Sequence, residues 1–372
     1  MKCGVFLKID PKYMNLALNL AKKGRGYVKT NPLVGAVIVK NGQILSTGYH
    51  KFFGGYHAER NAILNLKGSA YGATLYVNLE PCSHYGKTPP CANLIINSKI
   101  KRVVVGTLDP NPLVFGEGIK LLKKSGIEVY VGCMQKKCEK LNEIFFHNMK
   151  TKMPFVALKF GMTADGKIST YTGNSKWITG ELSRRHSHYL RSVYGAVLVG
   201  INTVISDNPQ LNCRLPQKRD PVRIICDTHL KTPLNSKIVK TAKIQKTYIA
   251  CSVENSQKIA KLQRAGVEIL KVRRVGGRVD LKELLKKLYQ IGIDSVLVEG
   301  GSEINHSFVE NNLINVIYSY IAPKIIGGVM AKTPVGGQGF EKLSQATALK
   351  RRKIRALGDD VLIEYRSSHF GK

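Results

Sequence analysis

Apolar positions recur at helical spacing from Tyr13 to Lys23, and strand-like runs follow at Val34–Val39 and Gln43–Gly48. The pattern then predicts a helix beginning near Ala58, a strand at Thr74–Leu79, a helix at Cys91–Ser98 and a strand at Arg102–Gly106. Gly118–Lys124 and Ile127–Val131 repeat helix and strand, and Gln135–Met149 reads as one helical stretch. Short strands alternating with helices predict an α/β sandwich. Lys150–Pro154 is polar and carries a proline, and the pattern restarts after it, which predicts one domain over 1–150 and another over 151–372. In the second, Phe155–Phe160, Ala196–Gly200, Val222–Cys226, Thr247–Cys251, Val267–Leu270, Ser295–Glu299 and Val316–Ile321 read as strands, with a further one at Val361–Tyr365. Helices are expected near Ser183–Val193, Ser256–Ala265, Leu281–Gln290 and Glu303–Glu310, which makes a second open α/β sheet. No repeat with a period of roughly 20 to 50 residues is present.

Composition narrows the class. With 43% apolar and 22% charged residues in 372, the chain has the make-up of a globular protein, which excludes disorder and collagen-like repetition. No apolar run reaches the roughly 18 residues that span a bilayer, and Met1–Pro11 carries charges where a signal peptide needs an apolar stretch. A soluble, cytoplasmic protein without a membrane partner is therefore expected. Lys and Arg number 58 against 25 Asp and Glu, a formal charge of +33 that suits nucleic acid or small phosphorylated ligands. The excess is spread, with 22 basic and 8 acidic residues before position 151 and 36 and 17 after it. Without a basic tail or an arginine-rich run, most of it reads as solvated surface with local phosphate sites.

Eight cysteines in this length are no disulfide framework, so their spacing matters more than their number. His57-Ala58-Glu59 opens a helix, Pro81-Cys82 follows a strand, and Cys91 comes after Pro89-Pro90 at the start of another helix. One imidazole and two thiolates are three ligands, and a zinc ion with three protein ligands keeps a position for water. The metal brings that water's pKa near neutrality, and Glu59 is close enough to carry its proton to a departing amine. The arrangement matches the H-x-E…P-C signature of zinc deaminases. Cys3, Cys133, Cys138, Cys213, Cys226 and Cys251 carry no comparable pattern.

Many zinc deaminases place two residues between the cysteines; here eight, Ser83 to Pro90, intervene. With that insertion, Leu79 to Cys91 together with His57-Ala58-Glu59 resembles the pyrimidine deaminase of riboflavin biosynthesis. The resemblance continues through Asn31-Pro32-Leu33-Val34-Gly35, Gly48-Tyr49-His50 and Asp109-Pro110-Asn111-Pro112. It implies a cytidine-deaminase-like sandwich, with Asn31, His50, Lys87, Asp109 and Asn111 holding the pyrimidine and the ribose phosphate.

The second domain has neither G-x-G-x-x-G nor a P-loop lysine. Its strand Val296–Glu299 runs into Gly300-Gly301-Ser302 and a helix, a turn that can bring backbone N–H groups against a phosphate. Asp165-Gly166-Lys167, Ser175 to Gly180, Asp207 to Leu211, Glu299-Gly300-Gly301 and Ile321-Ala322-Pro323-Lys324 resemble the reductase half of the bifunctional riboflavin-pathway family. The match then covers essentially the whole chain. It implies a dihydrofolate-reductase-like α/β domain that uses NADPH. By that resemblance Ser175, Arg191, Leu211, Arg214 and Glu299 contact substrate, with the two arginines able to grip a phosphate. Gly161, Trp177, Thr203, Asp207, Thr228, Gly301, Ser302, Glu303, Ile304, Asn305, His306 and Ser307 line the NADPH site, and Trp177 can shield the nicotinamide. The expected reactions are hydrolytic deamination of a diaminopyrimidinone ribosyl phosphate, then reduction of its ribosyl side chain. A homo-oligomer is compatible with the sequence and not required by it. The rival reading is a nucleic-acid base deaminase, which the zinc signature and the charge would both permit.

Overall fold

Alternation along the strands sets the layers of the first unit. In a computed structural model describing residues 9–84, 89–112 and 114–368, the chain divides into two units, Met1–Lys152 and Met153–Lys372. The first unit has strands β1 (Gly35–Lys40), β2 (Gln43–Tyr49), β3 (Thr74–Val77), β4 (Arg102–Val105) and β5 (Glu128–Val131), in the order β2-β1-β3-β4-β5. β1 pairs antiparallel with β2 and β3, and the remaining pairs are parallel. Along β1, Ala36 and Ile38 enter one buried cluster while Val37 and Val39 enter another on the opposite face. Helices therefore cover both faces: α1 (Pro11–Ala21), α2 (Ala58–Leu64), α3 (Cys91–Asn97), α4 (Glu117–Lys124), α5 (Gln135–Leu141) and α6 (Glu143–Thr151). Asp10 caps α1 through Lys12 N, with Pro11 in the first turn.

The single helix expected over Gln135–Met149 is broken at Asn142, which lies between α5 and α6. Its side-chain amide accepts from Leu33 N at 2.7 Å and donates to Leu33 O at 3.0 Å, a tie to a distant loop that apolar periodicity does not show.

The second unit is a nine-stranded sheet ordered β10-β9-β8-β7-β13-β6-β14-β16-β15. Its strands are β6 (Phe155–Thr163), β7 (Ala196–Gly200), β8 (Val222–Cys226), β9 (Thr247–Cys251), β10 (Val267–Lys271), β13 (Ser295–Val298), β14 (Val316–Ala322), β15 (Leu349–Leu357) and β16 (Asp360–Ser367), while β11 (Arg274–Val275) and β12 (Arg278–Val279) form a separate hairpin. The strands from β10 to β14 are all parallel; β16 alone runs against them, pairing antiparallel with β14 on one side and with β15 on the other. Helices α7 (Glu181–Val193), α8 (Ile201–Asp207), α9 (Lys237–Lys240), α10 (Ser256–Arg264), α11 (Leu281–Gln290) and α12 (Ser302–Glu310) connect the strands. The central strands are buried on both faces, with Ala196 and Leu198 in one cluster and Val197 and Val199 in the other. That is why they read as unbroken apolar runs. Among the described residues no helix is long and apolar enough to cross a membrane.

Candidate active sites

In the first unit two helix starts and one strand end converge. Gly48 has no side chain because a Cβ there would stand 2.3 Å from Ala62 N and 2.4 Å from Ala58 O, so α2 lies directly on β2. His57 is the residue before α2, Cys82 follows β3, and Cys91 is the first residue of α3. His57 Nδ1 lies 3.5 Å from Cys82 Sγ and 3.4 Å from Cys91 Sγ, and Cys91 N donates to Cys82 Sγ at 3.3 Å. A tetrahedral zinc with ordinary bond lengths separates its N and S ligands by roughly 3.6 Å, so the donor set and its spacing fit that ion. Among the described residues this cluster has three donors, leaving the fourth position open to solvent or substrate. The Cys82 thiol is pushed well below the ordinary thiol value by the Cys91 hydrogen bond and then by His57, a thiolate ready for a metal. Glu59, in the first turn of α2, is buried, and burial pushes its carboxyl up to about 7.

Of the residues expected around a pyrimidine, His50 lies against this centre and Asn31 is hydrogen-bonded to His50. His50 stacks edge-on to His57 with ring centroids 5.7 Å apart. Its Nδ1 lies 3.0 Å from Tyr56 O, which can only accept, so Nδ1 carries the proton and Nε2 accepts from Asn31 Nδ2 at 3.1 Å. Asp109 is buried, which raises its carboxyl to about 6, and its Oδ1 accepts from Asn111 N at 2.9 Å. Lys87 lies outside the described residues.

Sequence reasoning missed the residues that hold these loops. Buried Glu80 accepts four backbone N–H groups: Asp109 at 3.2 Å and Gly116 at 3.0 Å on Oε2, Gly118 at 3.0 Å and Ile119 at 3.3 Å on Oε1. It ties the Asp109 loop and the start of α4 to the segment that carries Cys82. Asn78 donates to Leu33 O at 2.9 Å and accepts from Gly35 N at 2.8 Å, so Asn78 and Asn142 clamp the loop after Asn31 from two sides. The available signal was a carboxylate directly after an apolar strand, beside Pro81-Cys82.

In the second unit a cleft of about 410 Å³ is lined by Lys159, Gly161, Trp177, Arg191, Arg214 and Glu299, among others. Burial alone would raise the Glu299 carboxyl, but Arg191 and then Lys159 outweigh it and hold it near 2. Arg191 grips Glu299 with Nε at 2.7 Å and Nη2 at 2.9 Å, and its Nη1 donates to Asn212 O at 3.0 Å. The fork expected on a phosphate is thus turned onto a carboxylate, and Arg214, exposed at the cleft, is the open guanidinium of the two. Lys159 Nζ stands 3.6 Å from Glu299 and 5.7 Å from the Tyr320 ring centroid, and burial lowers its pKa. A lone lysine inside the apolar run Phe155–Phe160 was the unused signal for it.

Leu211 has a left-handed backbone and its side chain sits in the core, so only its main chain is available to a ligand. Its carbonyl accepts from buried Gln245. Ser175 is half-buried and outside the residues lining the cleft. Trp177 is 61% exposed, with the Arg184 guanidinium 4.8 Å from its ring centroid. Gly161 and Thr179 pack so closely that a Cβ on the glycine would stand 2.9 Å from Thr179 Cγ2.

Beside the cleft, β13 runs through Gly300 and Gly301 into α12. A Cβ on Gly300 would stand 1.8 Å from Ile304 Cγ2, and no side chain caps the helix. Its first N–H groups can therefore take an anion, which fits the phosphates of a dinucleotide. Ser302, Glu303, Ile304 and His306 are partly or fully exposed, whereas Ser307 is buried. Asn305 is completely buried and donates to Pro334 O at 2.8 Å, facing the interior instead of the expected cofactor. Thr203 is on α8 after β7, Asp207 ends that helix exposed, and Thr228 follows β8 half-buried.

Comparison with known proteins agrees with this division. Residues 7–107 match the model of the cytidine and deoxycytidylate deaminase zinc-binding region, and residues 154–363 match that of the RibD C-terminal domain. The chain is 49% identical to the riboflavin biosynthesis protein RibD of Actinobacillus pleuropneumoniae, covering 96% of this chain and 95% of that one. It is 36% identical to the RibD of Escherichia coli, covering 95% and 98%. The crystal structure of a diaminohydroxyphosphoribosylaminopyrimidine deaminase/5-amino-6-(5-phosphoribosylamino)uracil reductase from Thermotoga maritima superposes with a TM-score of 0.85 at 39% identity, covering 96% of this chain and 98% of that one. The first unit has the cytidine-deaminase-like fold and the second the dihydrofolate-reductase-like fold that the sequence implied.

Proposed function

The chain belongs to the RibD family of riboflavin biosynthesis proteins, and on that premise we propose how its residues share the work. It is a bifunctional enzyme, a zinc-dependent hydrolytic deaminase of 2,5-diamino-6-(5-phosphoribosylamino)pyrimidin-4(3H)-one and an NADPH-dependent reductase of the ribosyl side chain. We assign deamination to residues 1–150 and reduction to 151–372, acting on a phosphorylated pyrimidine in the cytoplasm, without nucleic acid or membrane partners. A homo-oligomer is compatible with both sites.

His57, Cys82 and Cys91 would hold the zinc, which when bound supplies a water acidified to near neutrality. Glu59 accepts a proton from the water that replaces the amino group and passes it to the departing nitrogen, so that ammonia leaves. A carboxyl whose burial moves it toward neutral pH suits both halves of that transfer. With Asn31 Nδ2 held by His50, the Asn31 carbonyl oxygen is left to accept from the pyrimidine. Asp109 and Asn111 frame the ribosyl phosphate, with Lys87 assigned to the phosphate.

Gly161, Trp177, Thr203, Asp207, Thr228 and the start of α12 would hold NADPH, which when bound supplies the hydride. Lys159 and Arg191 keep Glu299 ionised as an acceptor for ribose hydroxyls, Ser175 and the Leu211 main chain border the substrate, and Arg214 faces its phosphate. The observation that carries the reading is three metal-ligand atoms at zinc spacing beside a buried Glu59. Purified protein given the diaminopyrimidine phosphate should release ammonia and consume NADPH only afterwards. Salt-sensitive RNA binding with base conversion would favour the nucleic-acid reading instead.

A further inference from the structure

Strand order spreads the proposed NADPH residues in a row. Gly161 is on β6, Gly301 follows β13, Thr203 follows β7 and Thr228 follows β8, and these strands are neighbours in that order. With the nicotinamide beside Trp177 at the β6 end, the adenosine end falls at β8, beside Thr228. There the β11–β12 hairpin makes contact. Val279 N donates to Thr228 Oγ1 at 3.2 Å. Arg278 donates from Nη1 to Ser307 Oγ at 3.0 Å and from Nη2 to Glu303 Oε2 at 2.5 Å. Gly276 and Gly277 form the turn with φ of 55° and 79°, both left-handed, as a two-residue hairpin requires. The hairpin thus touches three of the proposed cofactor positions, and its arginine is set by two of them.

NADPH and NADH differ by one phosphate on the adenosine 2′ oxygen. An acidic side chain at that place favours the free hydroxyl, whereas an arginine accommodates the phosphate. Here the Glu303 carboxylate is ion-paired with Arg278. A guanidinium has five N–H donors, of which two are engaged, and the side chain is 51% exposed. Resting on the NADPH reading, we propose that Arg278 recognises the 2′-phosphate and sets the preference for NADPH over NADH. Arg274, exposed on the paired strand, adds positive charge, while Arg273 is held by Asp280 at 2.6 Å and Glu283 at 3.5 Å and takes no part.

Calorimetric titration of the full chain with adenosine 2′,5′-bisphosphate and with 5′-AMP tests this without turnover. The native protein should bind the bisphosphate at least about tenfold more tightly, the worth of a charged hydrogen bond. Arg278→Ala should lose most of that difference while its 5′-AMP affinity stays, and Arg278→Gln, which keeps an amide N–H for Ser307, should do the same. A native protein without preference, undiminished preference in both variants, or parallel loss of both ligands in both variants would overturn the proposal. In each case NADPH consumption by the native enzyme would still stand. Failure of the native protein to bind either ligand or to consume NADPH would instead refute the reductase reading along with it.

Discussion

Glu59 is neither a metal ligand nor exposed, and its value lies in a carboxyl moved toward neutrality by burial. Glu59→Gln should lower ammonia release by about a hundred- to ten-thousandfold, the usual worth of a positioned acid and base. Zinc content, measured by metal analysis, should be unchanged, and the deaminated pyrimidine should still be reduced. His57, Glu59, Cys82 and Cys91 were readable because their chemistry needs fixed residue types at short spacing. Glu80 was not, because its partners are backbone N–H groups that any residue supplies, 29 to 39 positions away. Glu80→Gln replaces one accepting oxygen with an amide NH2 group that faces donors, so the Asp109 loop should loosen. The deaminase KM should rise roughly tenfold, the effect of losing about one hydrogen bond's orientation, with zinc still bound.

Elements were legible where burial follows a period. β7, β8, β9 and the parallel core of the second unit stood out as apolar runs because both of their faces are covered. β15 was missed: Leu349–Leu357 is largely exposed and contains Lys350, Arg351, Arg352, Lys353 and Arg355, which hides the alternation of a sheet edge. Within this region α7, β14, β15 and β16 meet at His186. Its Nδ1 lies 2.6 Å from Tyr320 Oη, its Nε2 is 3.1 Å from Arg355 Nη2, and burial followed by Arg355 brings its pKa down to about 4. Below the ordinary histidine value near 6.5 the unfolded chain takes up a proton that the folded unit refuses until about pH 4. Stability of the second unit is therefore predicted to fall as pH drops through that window. Urea titrations at pH 7 and pH 5 should show a loss that His186→Gln makes smaller; a loss of equal size in the variant would contradict the assignment.

At the scale of the whole molecule, chain length and the two alternating patterns already pointed to two α/β units. Function in the second was carried by the family resemblance, since its ion pairs join residues as far apart as Arg191 and Glu299. Out of the charge of +33, phosphate binding is proposed only for Lys87, Arg214 and Arg278. The central claim is that one chain deaminates first, at a zinc site, and reduces second, elsewhere. Its most direct test follows ammonia and NADPH together in one reaction started with the diaminopyrimidine phosphate, with and without a zinc chelator. The account predicts ammonia ahead of NADPH consumption, both abolished by chelation, and NADPH consumption restored when the deaminated pyrimidine is supplied to the chelated enzyme. NADPH consumption from the diamino substrate without ammonia release, or ammonia release that survives removal of the metal, would contradict it.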